Sequence, residues 1–63
     1  MTTILKSEQF RNDIDTATII VEQYADKGSV PLWRYTVKYD NKAPVFRRGL
    51  LHKPGKKWLR ERF

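Results

Sequence analysis

The chain contains no cysteine. That absence removes disulfide staples, cysteine-based zinc sites and thiol catalysis together, and it suits a reducing compartment. A single histidine, His52, leaves too few ligands for a metal site, because the acidic residues are spread without ligand spacing. The three glycines, at 28, 49 and 55, are too scattered to write a phosphate-cradling loop or a Gly-x-Ser-x-Gly nucleophile elbow. Long apolar runs are missing as well. The longest aliphatic stretch is Ile19-Ile20-Val21, whereas a membrane helix needs roughly 18 residues or more. Met1 to Phe10 shows no basic segment leading into an apolar core, so no secretory signal is expected. Sixty-three residues make a single domain, 1–63, and cannot hold a two-domain enzyme, a dinucleotide-binding half or a (β/α)₈ barrel. The expectation is one small cytoplasmic domain that uses no cofactor and no metal and does not associate with membranes.

What is present is charge, unevenly placed. The chain carries 13 Lys and Arg against 7 Asp and Glu, a net of +6. Residues 1–30 hold three basic and five acidic side chains, a net of −2, whereas residues 31–63 hold ten basic and two acidic, a net of +8. Segregation of that size within one small domain is the electrostatic footprint expected of a polyanion-binding surface. The plainer explanation, that lysine and arginine keep a small protein soluble, accounts for the total but not for the segregation.

Local patterns outline a sheet. Leu32 to Tyr39 alternates strictly, placing Trp33, Tyr35, Val37 and Tyr39 on one face and Arg34, Thr36 and Lys38 on the other. This is the signature of a half-buried strand, and it predicts Tyr35 and Val37 buried with Arg34 and Lys38 exposed. Thr16 to Tyr24 is dense in β-branched residues and reads as a second strand. The connector Ala25–Pro31 carries turn residues, and Asp40-Asn41-Lys42 reads as a tight turn. A third strand is expected from Val45 to His52, with Gly49 marking a bulge or a close approach. Pro54 and Gly55 occupy the two central positions of a type II turn. Beyond it, residues 57–63 suit a final strand or a short helix, and either places Leu59 and Phe63 on one face. The amino-terminal segment, 1–15, reads as an arm or brief strand followed by a helical turn that starts at Ser7 and pairs Phe10 with Ile14. Together these elements predict a mainly β, or small α+β, fold. It is a single antiparallel meander of three to four strands within residues 16–63, whose core holds Tyr35, Val37, aliphatics from 17–21 and Leu50 or Leu51.

No catalytic constellation and no family motif can be written from these residues, and the protein is not expected to be an enzyme. Asp13 and Asp15 can share a strand face as paired carboxylates would, but a solvated acidic turn is the better explanation. A single-histidine ribonuclease remains conceivable, since His52 lies among Arg47, Arg48, Lys53 and Lys56; as an exposed histidine near a turn it needs no such role. Binding has better support. Small β domains hold nucleic acid by combining a cationic groove with aromatic faces for stacking. The candidate contacts are Arg34, Lys38, Arg47, Arg48, Lys53, Lys56, Lys57, Trp58, Arg60 and Arg62. They point to a DNA- or RNA-binding protein that contacts phosphates through a sheet face with aromatic support. The alternative is a small regulatory or inhibitory protein docking on an acidic surface of a larger protein, an accessory factor of the kind compact, phage-like genomes encode. A monomer, or a homodimer joined through a sheet edge, is compatible with either.

Overall fold

β-branched and aromatic residues recur along most of the chain, and the structure uses them to build one sheet. It is a computed structural model describing residues 2–12 and 17–63. The elements are β1 (Thr2–Asn12), β2 (Ala17–Asp26), β3 (Leu32–Tyr39), β4 (Val45–Leu50) and a helix, α1 (Lys56–Arg62). The four strands pair antiparallel in the order β1-β2-β3-β4, a meander in which sequence neighbours are spatial neighbours. Among the described residues, no helix is long and apolar enough to cross a membrane.

Register decides which side chains meet. Ala17 lies opposite Tyr39, Ile19 opposite Val37 and Val21 opposite Tyr35, while Phe10 and Glu8 of β1 lie opposite Ile19 and Val21. These residues share one face, against which α1 packs. The core consists of Ala17, Ile19, Val21, Tyr35, Val37 and Leu59, ringed by Phe10, Trp33, Tyr39, Leu50 and Phe63. A slip of one residue would turn this whole set to solvent, so the alternation in β3 pins the pairing. The expected orientation of β3 is found, with Tyr35 and Val37 buried and Lys38 exposed; Arg34 is only partly exposed, for a reason given below.

Several local expectations give way. No helical turn forms near Ser7: Ser7, Glu8 and Phe10 belong to β1, whose pairing with β2 runs from Thr2 to Asn12 around a bulge at Leu5. A two-turn helix lacking a capping box has only its own few hydrogen bonds, whereas a strand beside β2 satisfies its backbone along its whole length. Ile14, Asp13, Asp15 and Thr16 lie outside the described residues. β2 extends through Ala25 and Asp26 before the turn at Gly28, whose φ of 82° is left-handed. β4 ends at Leu50, short of His52, and Leu51 is exposed, so Leu50 is the one that joins the core rim. Gly49 does mark a bulge: its φ is 80°, and Arg48 and Gly49 together face Arg34 where the register shifts.

The type II turn at Pro54-Gly55 is not formed. Such a turn needs positive φ at Gly55, which instead has φ −74° and ψ 144° and serves as the extended cap before α1. The segment after it is a helix rather than a strand, and its composition explains why. Residues 56–62 contain no β-branched side chain, and a strand would put Glu61 on the same face as Leu59 and Phe63. Helical spacing keeps Leu59 and Phe63 inward and releases Glu61 to solvent. The Leu59 amide donates to the Gly55 carbonyl, and the Phe63 amide to that of Leu59, each at 3.0 Å. A helix of seven residues is not stable alone, so its docking on the sheet holds it.

Leu59 is the only fully buried side chain of α1. Replacing Leu59 by Ala is expected to cost about 2–5 kcal/mol in equilibrium denaturation, and deleting residues 57–63 at least as much. A truncated chain that melts like the parent would show that the helix is not part of the core.

Candidate functional site

The cations of the carboxy-terminal half have two different fates. One set is tied to the protein itself. The chain leaves β4 and crosses the covered face towards β1, where Lys53 Nζ stands 2.6 Å from Glu8 Oε2 and Lys56 Nζ 3.5 Å from Glu8 Oε1. Glu8 Oε2 is shielded from solvent, and the Lys53 ammonium offsets that burial. The hydrogen bond from Lys53, reinforced by the charges of Lys53 and Lys56, holds the Glu8 carboxyl below the usual carboxylate range against the opposing effect of burial. Further along β1, Lys56 and Arg60 lie over the Phe10 ring at 5.5 and 5.2 Å, and Asn12 Nδ2 donates to the Arg60 carbonyl at 3.3 Å. Glu8, Phe10 and Asn12 alternate along one face of β1 and together fix the position of α1.

Arg34 is tied down on the opposite, open face. Its Nε donates to Glu22 Oε1 at 3.1 Å, directly across the β2–β3 pair, and its guanidinium lies 5.2 Å from the centre of the Tyr24 ring. The Tyr24 hydroxyl in turn accepts from the Gly49 amide at 3.0 Å, joining β2 to the β4 bulge. This network explains why Arg34 is half-buried. Lys38 is exposed on the same face.

The second set surrounds a groove. A cavity of about 270 Å³ opens between β4 and α1, lined by Tyr35, Arg47, Leu50, His52, Pro54, Gly55 and Trp58. Tyr35 forms the anchor of its aromatic wall, meeting Trp58 edge-to-face at 6.2 Å and Phe63 at 5.6 Å. Trp58 is 47% exposed, and Arg62 lies over its ring at 5.3 Å. Arg47 is placed on this side by its register opposite Tyr35, while Arg48 follows it on the same edge strand. Lys57 sits one residue before Trp58 on the exposed side of α1. Among the described residues, Arg47, Arg48, Lys57 and Arg62 take no ion pair, and the groove lining contains no carboxylate.

Of the ten candidate contacts, Arg47, Trp58 and Arg62 therefore come together at the groove, with Lys57 beside them on α1, while Arg48 faces Arg34 at the β4 bulge. Lys53, Lys56 and Arg60 lie on the β1 side of α1, and Arg34 and Lys38 are on the other face of the sheet. A second cavity, about 360 Å³, is lined by Lys6, Ser7, Glu8, Val21, Trp33 and Lys53, but its charged wall is the Glu8–Lys53 pair. Sequence reasoning did not find Glu8 as the anchor of the helix, nor Leu50 and Pro54 as groove walls. Those roles depend on the course of residues 51–55 over the sheet, for which no local pattern exists. No protein-family model matches the chain, and neither a curated protein nor a solved structure matches it significantly.

The Glu8 clamp has a pH signature. Its carboxyl is held ionised in the folded state, so the stabilisation is complete above the usual carboxylate range and is lost as pH falls through Glu8's own lowered value. Glu8→Gln is expected to flatten the acid limb of a stability–pH profile measured by thermal melting. An unchanged limb would mean that the clamp contributes nothing.

Proposed function

We propose that the protein binds nucleic acid at the groove between β4 and α1, holding phosphates with Arg47 and Arg62 and with Lys57 beside them. The observation that carries this reading is the convergence of two arginines and a half-exposed tryptophan on one groove whose lining has no acidic side chain. A guanidinium presents a planar fork that can bond two phosphate oxygens at once, which makes arginine well suited to this task. Among the described residues the rim cations take no ion pair, so their field is available to a polyanion. Contacts of this kind position a strand and carry no base sequence information.

Three cations engaging three phosphates give a log K against log salt slope of about −2.5, or about one and a half decades of affinity between roughly 50 and 200 mM salt. Replacing Arg47 and Arg62 together by Ala should make that slope shallower by roughly 1.5 and weaken DNA or RNA of any sequence alike. Lys38→Ala, on the opposite face, should leave it unchanged. Lack of binding to any nucleic acid at low salt would end this reading.

One observation favours a second reading. Phe46 is 54% exposed opposite Thr36 on the open face, where Lys38 is also exposed. An apolar residue beside an exposed cation suits docking on an acidic protein surface. In that case Phe46→Ser and Lys38→Glu would abolish capture of a nuclease-resistant partner while leaving nucleic-acid binding intact.

A further inference from the structure

We infer that the groove accepts one unstacked base of a single strand, so that the protein prefers single-stranded over duplex nucleic acid. This inference rests on the nucleic-acid reading above and assigns the role of the cavity itself, which phosphate contacts at its rim leave unexplained.

Three features of the groove support it. Its walls are flat or apolar, formed by Tyr35, Leu50, Pro54 and Trp58, and so suit a planar aromatic ligand. Its polar groups, Arg47 and His52, can hydrogen-bond the edge of a base that lies within it. The indole of Trp58 is held by Tyr35 at 6.2 Å and by Arg62 at 5.3 Å, so stacking on it meets a pre-ordered surface. Trp58 lines the groove and keeps 47% of its surface exposed. A base docked there leaves its phosphates beside Arg47 and Arg62, which combines stacking and charge in one site.

Duplex bases cannot use such a site. Their faces are covered by their neighbours in the stack, and a concave pocket can reach one only if the base is extruded at the cost of unstacking and unpairing. A flat cationic surface, by contrast, would bind duplex at least as well as single strand, because a duplex has the higher charge density. The cavity therefore predicts a preference opposite to that of the charge alone.

The test uses the full chain with three ligands of equal length: an oligothymidine, its duplex with oligoadenosine, and an abasic strand that keeps every phosphate. Affinity is measured by anisotropy, and tryptophan emission is followed in a Trp33→Phe background so that Trp58 reports alone. The oligothymidine should bind about ten-fold tighter than both other ligands and quench Trp58. Trp58→Ala should erase the preference while the salt slope stays the same; Trp58→Phe, which keeps an aromatic face and guards against misfolding of the alanine variant, should retain most of it. Equal affinity for the abasic strand and oligothymidine, with Trp58 emission unchanged, would overturn the base pocket and leave phosphate binding standing. Absence of binding to all three would overturn both.

Discussion

A single sheet has two faces, and among the described residues only seven, those of α1, are helical and available to cover one. Everything else follows from that shortage. A helix with its side chains is about 10 Å wide, whereas three inter-strand spacings already separate the outer strands by about 14 Å. α1 therefore cannot cover the apolar face from β1 to β4. It lies towards β1, held by Glu8, Phe10 and Asn12, and seats Leu59 over the centre. The uncovered remainder is the β4 side, where Tyr35, Leu50 and Trp58 enclose a groove instead of a closed core. The candidate site is thus the gap left by an undersized helix, floored by the core residue Tyr35 and walled by the partly exposed Leu50 and Trp58.

The same arrangement sorts the charges. Glu8 and Glu22, from the acidic half of the chain, neutralise Lys53 with Lys56, and Arg34, from the basic half. Arg11 and Asp40 also join the two halves, at 2.9 Å, with the signs reversed: the cation comes from the acidic half and the carboxylate from the basic one. Exposed pairs of this kind add little stability individually, typically about 0.2–1 kcal/mol. Their larger effect is on where positive potential remains. Part of the segregation seen along the sequence is consumed in joining the halves; among the described residues Arg47 on β4 and Lys57 and Arg62 on α1 take no ion pair, and neither does Lys38 on the other face.

How legible this was depends on the range of the interactions involved. β3 was readable from eight residues because period-two alternation is a local consequence of burying one sheet face. Gly49 was readable as a bulge because a left-handed dihedral is a property of one residue. β1 was not, since Thr2–Asn12 has mixed composition and becomes a strand through pairing with β2. The carboxy-terminal helix was half-visible: Leu59 and Phe63 share a face under either period, and only the cost of placing Glu61 beside them separates helix from strand. The site was legible in its residue types but not in its grouping. Arg34 and Lys53 look the same in sequence as Arg47 and Arg62, and their partners Glu22 and Glu8 are supplied by register and by the path of residues 51–55.

Arg47 and Arg48 also have a purely structural explanation, because charged side chains and a bulge on an outer strand discourage edge-to-edge pairing. β4 is such a strand, and its bulge at Gly49 and its arginine pair fit that role. Protection of the edge accounts for charge on β4 but for nothing on α1. It gives no reason for Trp58 to stand half-exposed beside the same strand, or for Arg62 to be placed over it one helical turn later. Nor does it explain why, among the described residues, no acidic side chain lines the groove while lysines only a few residues away are neutralised by Glu8. Cations contributed by two separate elements around one apolar cavity are the arrangement that a ligand with both a charged backbone and a flat ring requires. Edge protection and the proposed binding can share Arg47, and the proposed binding would use Trp58 and Arg62 as well.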